Sequence, residues 1–335
     1  MHPVTIRYAD DVEKVVQVFT GETLLAATRR EGIALAHQCM SGSCGTCVCR
    51  LEEGQLEMTA GAATCLLPSE HADGLRLACV ASVKAPSVIA LDYPSTLSGP
   101  HRVHAFINRI EWLAPSVAEL ELELADGDWM AFEAGQFVRC KVPGTEAWRS
   151  YSMSSTEAEL PILRLLIRCL ENGIMSDYLR ERAQVEDVVE LEGAFGSFRW
   201  HVDLRRPHIM IAGGTGVAPM VSMLDTLRAR SGNKPTVLLS FGCNDVESLF
   251  FDEQLALRSA WMPKLEVRVS LERADGSDYR QGNPVMAVTS ADIRPDTVAY
   301  LCGPPPMIEA ASNHLLGLGL APENIHAEQF RPSNY

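Results

Sequence analysis

No apolar run in this 335-residue chain approaches the eighteen or so residues that would suggest a membrane span. No targeting segment is read at its start, so the expected setting is a reducing one, the cytoplasm, where disulfides do not persist. A basic excess is also missing. The formal net charge is -14, which argues against nucleic acid as a partner. The acidic residues are spread along the chain and read as solvated surface, not as a docking patch. Internal repeats and low-complexity stretches are absent too, which leaves a globular chain. Its length exceeds one ordinary core and fits two or three domains. The apolar and charged fractions, 47% and 21%, are those of a soluble globular protein.

What is present is cysteine, in a pattern. Cys39, Cys44 and Cys47 form a C-x4-C-x2-C run, and Cys79 follows about thirty residues later. A close triplet with one distant fourth thiolate is the plant-type [2Fe–2S] spacing. The loop from Cys39 to Cys47 is short, uncharged and punctuated by Gly42 and Gly45, so its backbone can wrap closely around inorganic sulfide. A zinc ribbon would need a second C-x2-C pair fifteen to twenty residues on. Cys65 falls in that range, but neither it nor Cys79 has a partner two residues away. Cys49 and Cys65 are excluded as ligands by the spacing, and Cys140, Cys169, Cys243 and Cys302 read by default as scattered buried thiols.

The chain divides into three parts. Residues 1–94 hold a predicted hairpin (Val4–Tyr8 with Lys14–Phe19), a helix over Glu22–Glu31 ending at Gly32, and the cysteine loop. The Pro-, Ser- and Gly-rich stretch Tyr93–Pro100 reads as a linker. Residues 101–202 are strand-rich: Arg102–Ile110, Val117–Leu124, Gln136–Val142, Arg149–Ser154 and Ile162–Leu170 suggest a small antiparallel barrel. A short helix over Ser176–Arg182 is expected to have Ser176 as its N-cap, and such a helix start can hold a phosphate. From residue 203 to 335, strands and helices alternate. The expected elements are His208–Ala212, Pro219–Arg230, Thr236–Phe241, Glu253–Trp261, Glu266–Leu271, Val298–Cys302 and Met307–Gly317, a parallel sheet covered by helices.

Two turns in this third part point to a nucleotide. Gly213, Gly214, Thr215 and Gly216 follow an apolar strand and open a helix, with Pro219 in its first turn. Glycines there let backbone N–H groups approach a pyrophosphate. Pro219 stands where the full Rossmann fingerprint has a third glycine. Cys302, Gly303 and Pro304 end a second strand in the same manner, and strand C-terminal ends form the ligand crevice of such sheets.

With these motifs in order, the whole chain resembles the ferredoxin–NAD(P)H reductase superfamily. Within it, the match is to the single-chain reductases of benzoate and toluate dioxygenases. The resemblance implies a plant-type ferredoxin β-grasp domain, an antiparallel β-barrel FAD domain and a parallel α/β NAD-binding domain. It places Cys39, Cys44, Cys47 and Cys79 on the cluster. It implies that Arg149, Tyr151 and Ser152 bind flavin: Arg149 its phosphate, Tyr151 along it, Ser152 near the ring's reactive nitrogen. Gly173, Met175 and Ser176 match the next flavin segment, and Leu191–Phe198 the loop closing the barrel. Gly213, Gly214, Thr215, Gly216 and Pro219 would hold the dinucleotide. Cys302, Gly303 and Pro304 would sit beside the nicotinamide, and Phe330 of a Glu-x-Phe tail near the flavin ring. Ser152 and Cys302 are the candidates for touching the reacting atoms. Met40 and Ala194 depart from the usual Arg and Pro, and five residues follow Phe330.

Cofactor choice turns on the segment after the second strand. Asp245 and Glu247 are acids with no base between Phe241 and Glu247. An acid there bonds a ribose hydroxyl and repels a 2′-phosphate, which favours NADH. Arg228 and Arg230 lie close enough in sequence to keep NADPH open. The expected route is NADH to FAD to [2Fe–2S] to an oxygenase, with a Rieske-type aromatic-ring dioxygenase favoured over a soluble di-iron monooxygenase. A different class, a zinc-binding regulatory nucleotide binder, would leave the flavin motif unexplained and predicts a colourless protein.

Overall fold

The computed structural model describes residues 1–59, 65–96, 101–200 and 205–330. The chain forms two compact units, residues 1–101 with 195–197, and residues 102–194 with 198 onward.

In the first unit, alternation drives the hairpin. Strands β1 (His2–Arg7) and β2 (Glu13–Val18) pair antiparallel with Val4 opposite Val16. Their inward residues Val4, Ile6, Val16 and Val18 are fully buried, as a half-buried sheet requires. Helix α1 (Leu24–Arg30) starts at Thr23, whose Oγ1 accepts the Ala26 N–H at 3.2 Å. It buries Leu24, Leu25, Ala27 and Thr28 against the same core. The remaining elements are β3 (Val48–Glu53), β4 (Leu56–Met58), α2 (Pro68–Ala72), β5 (Leu75–Leu77), β6 (Ala81–Val83) and β7 (Ser87–Ala90). The main sheet runs β2-β1-β7-β3-β5 with β1 and β7 parallel, and β4 pairs with β6 separately. Tyr93, expected to open a linker, is instead buried in this core, and its hydroxyl accepts the Ala36 N–H at 3.0 Å. Ser95 donates its N–H and hydroxyl to the Asp10 carboxylate. Residues 97–100 of the expected linker lie outside the described residues.

The second unit holds two six-stranded sheets. The first is built from β8 (His101–Ala114), β9 (Val117–Leu124), β10 (Phe137–Lys141), β11 (Trp148–Ser152), β12 (Ile162–Arg168) and β13 (Val188–Phe195), with helix α3 (Ile174–Glu181) between the last two. Its order is β11-β10-β13-β8-β9-β12, and a bridge between Met153 and Leu165 joins the two ends. Closure leaves no open edge, as expected for a small barrel. Inside lie Ile107, Leu120, Leu122, Val138, Leu163 and Leu165.

The second sheet is parallel throughout: β14 (His208–Gly213), β15 (Val237–Asp245), β16 (Leu265–Arg273), β17 (Arg280–Gln281), β18 (Val298–Gly303) and β19 (Ile325–Gln329). Helices α4 (Val217–Ala229), α5 (Asp252–Trp261) and α6 (Pro305–Gly317) connect strands within it. The order β17-β16-β15-β14-β18-β19 reverses at β14, so a crevice opens beyond the ends of β14 and β18. Strands β17 and β19 were not anticipated; both are short and too polar to show a hydrophobic period. The sheet's apolar strands are buried on both faces, as Ile209, Met210, Ile211, Tyr300 and Leu301 show.

Ser222 on α4 donates its buried hydroxyl to the Ser155 carbonyl at 2.6 Å, joining the parallel half to the barrel. Replacing Ser222 with Ala leaves that carbonyl without its donor. The expected loss is about 1–3 kcal/mol, read as a lower urea midpoint at unchanged m-value. An unchanged midpoint would mean the contact contributes nothing.

Candidate functional site

The cysteine loop lies in the first unit. Ser41 and Ser43 N–H groups donate to Cys39 Sγ at 3.4 and 3.3 Å, so the backbone already turns its donors toward sulfur. Met40 sits at the turn with φ +52° and is 54% exposed, its sulfur accepting from Arg29 at 3.2 Å. Cys39 lies against Cys44 and Cys79, and Cys47 against Cys79. Hydrogen bonds from Cys44 and Cys79 hold Cys39 well below the usual thiol range. Among the described residues no three metal-ligating side chains converge on a single point. The four thiols form one connected run, Cys44 to Cys39 to Cys79 to Cys47. Cys49 and Cys65 are different: burial pushes each thiol up to about 12, so both stay protonated. Four thiols brought together from the C-x4-C-x2-C run and Cys79, with Cys49 and Cys65 left protonated, fit a [2Fe–2S] cluster.

On the barrel, β10 and β11 pair so that Cys140 opposes Arg149, Val138 opposes Tyr151 and Phe137 opposes Ser152. Arg149 donates to the Trp148 carbonyl at 2.9 Å, and burial raises the Tyr151 phenol well above its ordinary value. The helix expected to begin at Ser176 begins at Ile174, with Gly173 as N-cap and no side-chain cap. Ser176 is inside the helix because its Oγ accepts the Leu170 N–H at 2.9 Å and closes the preceding loop. That hydroxyl would lie 2.7 Å from a Cβ at position 173, so any side chain there would have to displace it. Met175 is buried beneath this turn.

On the parallel sheet, Gly214 through Gly216 form a turn of 3₁₀ helix directly before α4, with Thr215 buried and Pro219 buried in the first turn of α4. A Cβ at Gly214 would meet nothing within 4 Å, so its backbone faces open space where a phosphate can approach. Gly216 is the reverse case: its Cβ would lie 2.3 Å from the Cys302 carbonyl oxygen. The two turns expected to share a nucleotide are thus pressed together. Pro304 caps α6 and is exposed beside them.

The most informative contact joins the barrel to the parallel sheet. Ser152 Oγ donates to Glu328 Oε2 at 2.9 Å, and the Cys302 thiol lies 3.9 Å from the same oxygen. The β18–β19 register sets Cys302 beside Glu328, and the Phe330 N–H bonds the Gly303 carbonyl at 2.9 Å. Glu328 keeps a little accessible surface, yet the atoms packed around its carboxyl push it up to about 7. Cys302 is fully buried and is pushed well up by burial and by Glu328, so it is a neutral thiol and not a nucleophile. Glu328 carries no role in the sequence reading beyond its place in the tail motif. The signal that finds it is strand pairing, which puts it opposite Cys302.

Asp245 ends β15, where an acid was expected, but it is not without a base. Arg273, its register partner on β16, donates to Asp245 Oδ2, and the Ser248 N–H donates to Oδ1 at 2.9 Å. The two residues are far apart in sequence, which hid the pair. Arg228 instead pairs with Asp225 at 3.5 Å and stacks over Trp261.

Three families match in this order along the chain: a 2Fe-2S iron-sulfur cluster binding domain over residues 8–84, an oxidoreductase FAD-binding domain over 104–200, and an oxidoreductase NAD-binding domain over 210–313. The toluate 1,2-dioxygenase electron transfer component of Pseudomonas putida is 31% identical, with 99% of each chain covered. The anthranilate 1,2-dioxygenase electron transfer component of Acinetobacter baylyi is 32% identical over 99% of this chain and 98% of its own. The crystal structure of an Amycolatopsis cytochrome P450 reductase superposes with a TM-score of 0.73 at 29% identity, covering 98% and 99% of the two chains. The chain is an oxidoreductase with [2Fe–2S], FAD and NAD-binding domains, and it belongs to the family of single-chain electron transfer reductases that includes these dioxygenase components.

Proposed function

We propose that this chain is the reductase component of an aromatic-ring-hydroxylating dioxygenase of the Rieske type, taking electrons from NADH and handing them singly to the oxygenase in the cytoplasm. Its functional modules would be residues 1–94, 101–202 and 203–335. The kinship to toluate and anthranilate dioxygenase components supports the partner class. The observation that carries the chemistry is the meeting of Ser152 with Glu328 and Cys302, flavin-segment hydroxyl against nicotinamide-segment strand.

A bound flavin would supply hydride acceptance from a nicotinamide and one-electron release to an iron–sulfur centre. The protein's part is positioning and proton control. Cys39, Cys44, Cys47 and Cys79 would ligate the cluster, and backbone N–H groups of Ser41 and Ser43 already face Cys39 sulfur. Arg149, Tyr151 and the first turn of α3 at Gly173, Met175 and Ser176 would hold the flavin, while Gly213–Gly216, with Pro219 in the turn behind them, would hold the dinucleotide pyrophosphate. Cys302, Gly303 and Pro304 would line the nicotinamide side, and Phe330, tied to Gly303, would close it. Glu328 can carry a proton at neutral pH, and the Ser152 hydroxyl, bonded to its Oε2, links that carboxyl to a group held against the strand.

Glu328 makes the molecule pH-dependent in a stated direction. Its folded value near 7 lies above the ordinary 4.5, so the folded state holds a proton that the unfolded chain has released. Its contribution to stability is full below about pH 4.5 and is lost as pH rises through about 7. Glu328→Gln removes this dependence. Thermal midpoints of the two proteins should diverge between pH 5 and pH 8, with wild type losing ground at the higher pH; parallel profiles would refute the assignment.

Cofactor preference rests on Asp245, whose charge occupies Arg273 and opposes a 2′-phosphate. Asp245→Asn should raise kcat/KM for NADPH relative to NADH by about tenfold, the scale of one charge-assisted hydrogen bond. An unchanged ratio would remove Asp245 from the selectivity.

The overall reading is tested by anaerobic EPR on the co-purifying partner, frozen after addition of NADH and a trace of this protein. A Rieske signal growing in the partner is the expected result. A mixed-valence di-iron signal would instead make the partner a monooxygenase, and no reduced [2Fe–2S] signal in this chain under NADH would overturn electron transfer itself.

A further inference from the structure

Thr46 stands between two of the four thiols, Cys44 and Cys47, and is 8% exposed. Its hydroxyl is enclosed and makes no well-formed hydrogen bond, and the acceptor within its reach is the Cys44 sulfur. Buried hydroxyls almost always have a partner, because an unmade bond forfeits the group's solvation. Neighbouring main-chain groups are already committed: Val48 N–H to the Gly45 carbonyl and Ala78 N–H to the Cys47 carbonyl, both at 3.0 Å. A neutral thiol is a poor acceptor, whereas a thiolate on iron carries charge and is a good one.

We propose that Thr46 is a tuning residue of the iron–sulfur centre, its hydroxyl donating to the Cys44 thiolate of the bound cluster. The inference rests on the reading of the four cysteines as cluster ligands. A reduced cluster holds one more negative charge than an oxidised one, so a donor at its sulfur favours the reduced form and raises the potential. A threonine present only to fill space would be replaced without consequence by valine, which has the same shape and no hydroxyl.

The test is a spectroelectrochemical titration of the full-length holoprotein, following the cluster by visible circular dichroism and EPR. Thr46→Val should lower the cluster's equilibrium constant for reduction by up to about tenfold, which is 59 mV for one electron. Thr46→Ser, which keeps the hydroxyl, should titrate with wild type. An unchanged potential in Thr46→Val, or an equal shift in Thr46→Ser, would overturn the proposal. Should the valine variant not retain iron, Thr46→Ala against Thr46→Ser makes the same comparison, and equal potentials there overturn it as well. A wild-type chain with no reduced [2Fe–2S] signal would instead overturn the cluster assignment.

Discussion

The catalytic half of the molecule depends on one close approach, that of Gly216 to the Cys302 carbonyl. No side chain fits in that gap, since even a Cβ would lie 2.3 Å from the oxygen. Because β14 and β18 are neighbours in a parallel sheet, their two turns emerge side by side. The glycine lets them touch, so the two turns line one crevice beyond the strand ends. The same register carries the effect outward. Strand β19 pairs with β18, so Glu328 falls beside Cys302, and the barrel's Ser152 completes the group.

Burial then sets the chemistry of each group. A carboxyl among packed atoms resists ionisation, and Glu328 is left near neutrality, where gaining or losing a proton is easy. The nearby Cys302 thiol is driven away from reactivity, first by burial and then by the neighbouring Glu328 carboxyl. At the cysteine loop the same principle separates Cys39 from Cys49 and Cys65. At Cys49 and Cys65 burial outweighs any nearby charge and keeps the thiols neutral, while Cys39 is surrounded by sulfur and N–H donors that favour its thiolate.

Much of this was legible in the residues. The cysteine spacing, the glycine turn before α4 and the alternation of the first hairpin are local signals, set by interactions spanning a few residues. What escaped was non-local or weakly periodic. Strand β19 is polar in three of its five positions and shows no strong hydrophobic period, yet it exists because β18 offers a parallel edge. Ser176 has the look of an N-cap, but its hydroxyl is taken by Leu170, so the helix begins two residues earlier. Tyr93 sits in a Pro- and Ser-rich stretch and is nevertheless a core residue, because it lies next to the last strand of the first sheet.

The amino-acid sequence alone determined the three cofactor modules, their order and the four thiols, because most of each motif is carried by residues close in the chain, with Cys79 recognisable by its distance from the triplet. Tertiary structure alone decided which acid faces which base and which hydroxyl faces which carboxylate. Asp245 meets Arg273, and Ser152 meets Glu328, only after strands far apart in sequence pair or pack. The reason is physical: proximity that raises a carboxyl's proton affinity or occupies a guanidinium depends on three-dimensional distance and local dielectric, which sequence separation does not encode.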